Sequence, residues 1–213
     1  MQPLLAAPFN YLLEARKAVL KNDYHRAVNM TDLAIRQNPR DADSYYFKAY
    51  CHAVLQQPQE ALSSYERGLK LAPCSDPHIT VEIAKTYIGL DKSDKAIALL
   101  DGALKVTPMS DAYRCKGQIL FRRKETLPAI ACYDQAIKLE PRNLWNYDDR
   151  VVCYMSLNRY SDALKDLNKM VEIAPTSARG YSLRARVYEK LGDKAAAKKD
   201  REKSNSLGEQ EWF

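Results

Sequence analysis

Residues 110–143 read SDAYRCKGQILFRRKETLPAIACYDQAIKLEPRN, and four of their residues recur along the chain at a fixed period. The first is Pro141, which belongs to a series Pro39, Pro73, Pro108, Pro141 and Pro175 spaced 34, 35, 33 and 34 residues apart. Twelve residues before each proline stands an alanine: Ala27, Ala61, Ala96, Ala129 and Ala163, with Ala197 falling 34 beyond the last. Sixteen residues earlier come Tyr11, Tyr45, Thr80, Tyr113, Tyr147 and Tyr181. Four residues after these come Ala15, Ala49, Ala84, Gly117, Val151 and Ala185. Six units of 34 residues account for nearly all of the 213. A fixed period of this length marks a repeat protein, in which each unit is one supersecondary element.

The spacing has a physical reading. Each unit predicts a first helix, such as 44–55, a turn, a second helix, such as 58–71, and a proline stop. Small residues such as Ala49 and Ala61 suit the crossing of the two helices, where a bulky side chain holds the backbones apart. Tyr45 then fills the space between neighbouring units. Pro58 and Pro128 fall at or just before the start of a second helix, where a missing N–H does no harm. Only seven glycines in the whole chain argue for helices joined by short turns.

The remaining composition excludes several classes. No run of 18 apolar residues exists, so no membrane-spanning helix is expected. Met1–Asn10 lacks a basic segment and is broken by Pro3 and Pro8, which argues against a secretory signal. The five cysteines (Cys51, Cys74, Cys115, Cys132, Cys153) form no metal-ligand spacing and read as buried hydrophobes in a reducing, cytoplasmic setting. His25, His52 and His78 fall on different repeat positions, and no glycine-rich phosphate loop occurs. No enzyme, cofactor or metal is therefore expected.

The pattern resembles the tetratricopeptide repeat family, whose members carry a small residue four after an aromatic and a proline closing each 34-residue unit. The likeness covers about residues 8–211 and is fullest at Tyr113, Gly117, Ala129, Tyr133, Ala136 and Pro141. Two departures stand out. Lys48, Lys116, Arg150 and Arg184 replace an expected leucine, and the second-helix aromatic is kept only at Tyr65 and Tyr133. The resemblance implies an all-α, right-handed solenoid of six helix-turn-helix repeats. Their expected spans are 8–41, 42–75, 76–109, 110–143, 144–177 and 178–211, after a segment 1–7 and before a tail 212–213, the whole forming one domain. Arg201, Ser204 and Asn205 make the last helix a polar cap.

The resemblance further implies that first helices line a concave wall. The first repeat would place Phe9, Leu12, Leu13 and Arg16 there, and the second Asp43, Tyr46, Phe47 and Tyr50. The third gives His78, Val81, Glu82 and Lys85, and the fourth Asp111, Arg114, Cys115 and Gln118, with Arg122 one turn on. The fifth gives Trp145, Asp148, Asp149 and Val152, and the sixth Arg179, Ser182, Leu183 and Arg186. Such a wall is apolar and aromatic at first and charged with both signs beyond, a composition suited to anchoring a peptide of another protein. The expected peptide contacts are Leu12, Arg16, Tyr46, Phe47, Tyr50, Glu82 and Lys85, continuing through Arg114, Gln118, Arg122, Asp148, Asp149, Arg179 and Arg186. The alternative for Tyr46, Phe47 and Tyr50 is plain packing between helices, and for the charged residues pairing with one another.

Many family members grip a terminal carboxylate with two Lys, two Asn and one Arg. The matching places here are Arg114, Gln118, Asp149, Arg179 and Leu183. Asp149 repels a carboxylate and Leu183 donates nothing, so that clamp is disfavoured. Two other readings remain. A net charge of +6 allows a nucleic-acid partner, yet the excess is spread along the chain. Its clusters at Arg122–Lys124 and Lys194–Lys203 lack interleaved aromatics, and the second carries Asp200 and Glu202. Self-assembly is the other, with Trp212 and Phe213 either folding back or docking on the apolar N-terminal wall of a neighbour.

Overall fold

The computed structural model describes residues 9–73 and 76–208; Leu4, Leu5, Cys74, Trp212 and Phe213 lie outside them. Among the described residues every regular element is a helix. Contacts divide the chain into two compact units, residues 1–107 and 108–213. The first holds α1 (Tyr11–Val19), α2 (Tyr24–Gln37), α3 (Ala42–Val54), α4 (Pro58–Leu71), α5 (Pro77–Gly89) and α6 (Ser93–Val106). The second holds α7 (Ser110–Arg122), α8 (Thr126–Leu139), α9 (Leu144–Ser156), α10 (Tyr160–Ile173), α11 (Ala178–Leu191) and α12 (Lys194–Leu207). Each unit is thus a stack of three helical hairpins, and within each unit sequential helices pack on one another.

The small residues do what their spacing demands. Ala15, Ala49, Ala84 and Val151 on first helices and Ala27, Ala61, Ala96, Ala129 and Ala163 on second helices have no exposed surface. Five second helices stop two residues before a proline, at Gln37, Leu71, Val106, Leu139 and Ile173. The residue before each proline leaves the helical region (ψ 91° at Asn38, 154° at Ala72, 114° at Thr107), because the pyrrolidine ring clashes with a helical predecessor. The repeated tyrosine is tied to this stop. Tyr45, Tyr147 and Tyr181 each donate their hydroxyl to the carbonyl of the proline six residues earlier, at 3.3, 2.9 and 3.2 Å.

The turn inside each hairpin is as regular. Asn22, Gln56, Asp91, Lys124, Asn158 and Gly192 occupy one repeat position and all adopt positive φ, between 56° and 83°. In each case the residue's N–H bonds three residues back and the next N–H bonds five back, as in Lys124 to Phe121 (2.9 Å) and Glu125 to Leu120 (2.9 Å). That is the Schellman ending, which favours glycine at its left-handed residue. Only the sixth repeat supplies one. Lys124→Gly is therefore expected to raise stability by about 0.5–1 kcal/mol, because a side chain in this region is strained. Thermal melting followed by circular dichroism checks it, and an unchanged or lower midpoint contradicts it.

The cations that replace the family leucine act as bridges. Arg150 Nε and Nη2 donate to Asp166 at 2.8 and 2.6 Å, and its Nη1 donates to Asp134 at 2.5 Å. Arg184 likewise holds Asp200 (2.6 and 2.9 Å) and Asn168 (2.9 Å), and Lys48 holds Asp32 (2.6 Å). Each partner lies sixteen residues away, so these side chains tie a first helix to second helices beside it. Asp200, within the basic stretch of α12, is thus buried and paired, while Arg201 and Asn205 are exposed and Ser204 is half-buried on the cap. Cys51, Cys115, Cys132 and Cys153 are buried thiols, and burial pushes those of Cys51 and Cys153 up to about 12.

Candidate functional site

In the N-terminal unit the first helices α1, α3 and α5 present a connected face. Asn10 starts α1 by accepting from the Leu13 N–H at 2.9 Å, which fixes the turn carrying Leu12, Leu13 and Arg16. Leu12 is half-buried and Leu13 is 47% exposed. The Arg16 guanidinium lies 5.8 Å from the centre of the Phe47 ring, and Phe47 is 6.0 Å from Tyr50. A cation over an aromatic face is attracted by the ring quadrupole. Phe47 and Tyr50 are half-buried, and the Tyr50 phenol is pushed above its usual range by burial and by the neighbouring Tyr24 and Glu82. On α5, Lys85 is exposed and pairs with Glu82 at 2.5 Å.

Tyr46 corrects the sequence reading. It is 1% exposed, with no surface to offer a ligand. Its ring lies against Gly68 of α4, where a Cβ would come within 2.7 Å of Cε1, and its hydroxyl donates to the Ala72 carbonyl. The sequence held a signal for this: Gly68 sits where other repeats have Ala34, Ala103 and Ala136. The second repeat uses the lost methyl to admit a ring. Tyr46 is therefore interior, and the candidate face in this unit consists of Leu12, Leu13, Arg16, Phe47, Tyr50, Glu82 and Lys85.

In the C-terminal unit the first helices are joined by charge. Gln118 on α7 donates to Asp149 on α9 at 3.0 Å, and Arg114 approaches the same carboxylate at 3.8 Å and Asp111 at 3.7 Å. Arg179 on α11 grips Asp148 on α9 through two bonds, Nε to Oδ1 at 3.1 Å and Nη2 to Oδ2 at 2.7 Å. Asp148 is buried. Burial pushes the Asp149 carboxyl upward, opposed by Gln118 and Arg114, and the bond to Asp148 raises Arg179 further. The oppositely charged residues therefore satisfy one another across α7, α9 and α11. Arg122 and Arg186 are exposed at the edge of this face, as are Trp145 and Val152 at 45% and 42%.

The clamp positions follow from the same geometry. Asp149 puts a carboxylate beside Arg114, and Arg179 is engaged in a forked pair with Asp148. Among the described residues, no group of three or more His, Cys, Asp or Glu is placed to hold a metal ion, and no helix is long and apolar enough to cross a membrane.

Helical hairpins of period 34, closed by proline and packed through alanines, define a class of all-α solenoid repeat proteins. The tetratricopeptide repeat model matches residues 12–75, 81–143 and 178–207, and the chain belongs to that family. The chain is 39% identical over 90 residues to the heat shock protein sti1 homolog of Schizosaccharomyces pombe, covering 42% of this chain and 15% of that protein. It is 36% identical over 221 residues to Hsp70-Hsp90 organizing protein 3 of Arabidopsis thaliana, covering 85% of this chain and 40% of that protein. The chain thus spans well under half the length of these relatives. Among solved structures, the type IV pilus biogenesis factor PilW has the same fold, with a TM-score of 0.79, 17% identity and coverage of 92% of this chain and 91% of that one.

Proposed function

We propose that the chain is a non-enzymatic protein-interaction module, whose N-terminal unit binds a peptide segment of another protein on the face of α1, α3 and α5. The carrying observation is the exposed Leu13 one helical turn from Arg16, whose guanidinium lies over the half-buried Phe47 ring next to Tyr50. Aromatic and arginine side chains of this kind dominate the energetics of recognition. The charged face of the C-terminal unit, with Arg114, Gln118, Arg122, Asp148, Asp149, Arg179 and Arg186, is a secondary surface, because its central groups are paired internally. Buried thiols fit a cytoplasmic setting. The relatives' names make chaperones natural first partners to assay, while the paired Arg179 and the central Asp149 argue against an acidic tail held in the C-terminal unit.

Selection from a displayed peptide library tests the reading. The wild-type chain is expected to enrich sequences with apolar anchors. Leu13→Asp/Arg16→Glu, which changes two exposed residues, is expected to lose them at unchanged helicity and melting temperature. Equal enrichment by the two proteins, or none by the wild type, overturns the assignment. Saturable calorimetric binding of a free acidic C-terminal peptide, abolished by Arg179→Ala, would restore the clamp.

A further inference from the structure

The N-terminal face asks for a particular ligand chemistry, and the chain carries a matching segment of its own. Among the described residues Arg16 has no carboxylate in ion-pair contact; its neighbour is the Phe47 ring. An occupant that satisfies this face brings aromatic or aliphatic area for Leu13, Phe47 and Tyr50 and an acid for Arg16. Residues 1–8, MQPLLAAP, offer the apolar part without any acid. Residues 209–213, EQEWF, offer both, with Glu209 and Glu211 immediately before Trp212 and Phe213. Side chains of these two aromatics are costly to leave in water, each presenting about 150–250 Å² of surface.

The spacing agrees with the chemistry. Arg16 and the Phe47 ring are 5.8 Å apart, and Phe47 and Tyr50 are 6.0 Å apart. An extended peptide rises about 3.3 Å per residue, with alternate residues on one side. An acid and an aromatic two residues apart in the sequence, as Glu211 and Phe213 are, therefore match the separation of Arg16 from the Phe47 ring. We infer that residues 209–213 of one copy dock on the α1–α3 face of a second copy. The inference rests on the peptide-binding reading of that face and names a second copy of this chain as its occupant. A contact between two different patches is heterologous, so it propagates from copy to copy into closed rings or open chains.

Sedimentation velocity on the full chain across a wide range of concentration tests this. Wild type is expected to shift to faster-sedimenting species as concentration rises. Trp212→Ala/Phe213→Ala is expected to weaken association about thirtyfold, the size of losing a central aromatic anchor. Arg16→Glu and Glu211→Lys each weaken it, and their combination in one chain restores it, which a mere folding defect does not do. A wild type that stays monomeric at every concentration overturns the inference, and so does a tail variant that associates as well as wild type. A chain that enriches library peptides through Arg16 yet remains monomeric loses this inference alone. One that enriches nothing loses the peptide-binding reading as well.

Discussion

Arg150→Leu is expected to lower stability by about 3–5 kcal/mol, the cost of removing one partner of a buried ion pair, even though leucine is the family's usual residue at that place. The reason lies in Asp166. Its side chain is 7% exposed and both of its oxygens accept from the Arg150 fork. Without that fork a carboxylate stays inside with no counter-charge. Burial already pushes the Asp166 carboxyl upward, and Arg150 opposes the shift. Removing Arg150 leaves burial unopposed, so the folded variant binds a proton that the unfolded chain releases. Stability then falls as pH rises from the ordinary aspartate value through the raised one, and the penalty of the variant is smallest in acid. Urea unfolding at several pH values measures this. Arg150→Leu/Asp166→Leu is expected to recover most of the loss, because the stranded charge is gone. A single variant costing under about 1 kcal/mol, or one equally costly at every pH, contradicts the account.

Tyr133→Ala is expected to cost about 3–5 kcal/mol, and it reverses the sign of a second substitution. Tyr133 is 1% exposed, and its ring lies against Gly117 of α7, where an added Cβ would stand 2.7 Å from Cε1 and 2.8 Å from Cζ. In the wild type, Gly117→Ala gains about 1 kcal/mol of helix propensity and loses more to the clash, for a net cost of about 1–2 kcal/mol. With the ring removed the clash vanishes, and the same substitution stabilises by about 1 kcal/mol. A double-mutant cycle by chemical denaturation reads this directly. Additive effects would show that the ring and the glycine do not share one space.

The glycine at position 117 and the alanines at the same repeat place show how much of the fold is legible before any tertiary structure. A period of 34 fixes where two helices cross, and only small side chains tolerate that approach, so Ala49, Ala61, Ala129 and Ala163 announce the hairpins. Proline restricts its own backbone and its predecessor's, so Pro39, Pro73 and Pro141 announce the helix ends. The turn signal was also present, as Asn22, Asp91, Asn158 and Gly192 at one spacing; Gln56 and Lys124 disguised it, although the same pair of backbone bonds holds them in that shape.

The candidate site was legible only as a set of helix positions. Periodicity places Tyr46, Phe47 and Tyr50 on one helix, and Asp148 with Asp149 on another. Whether a ring turns inward depends on the neighbour it meets, and a single missing methyl at Gly68 drew Tyr46 into the interior. Whether a charge is offered to a ligand depends on partners 31 residues away, and Arg179 was found already holding Asp148. Backbone periodicity and steric exclusion are local, so the sequence alone determined the repeats and their ends. Burial and charge pairing belong to side chains that meet across helices, so only the tertiary structure decided which of these residues are exposed and which are buried or paired.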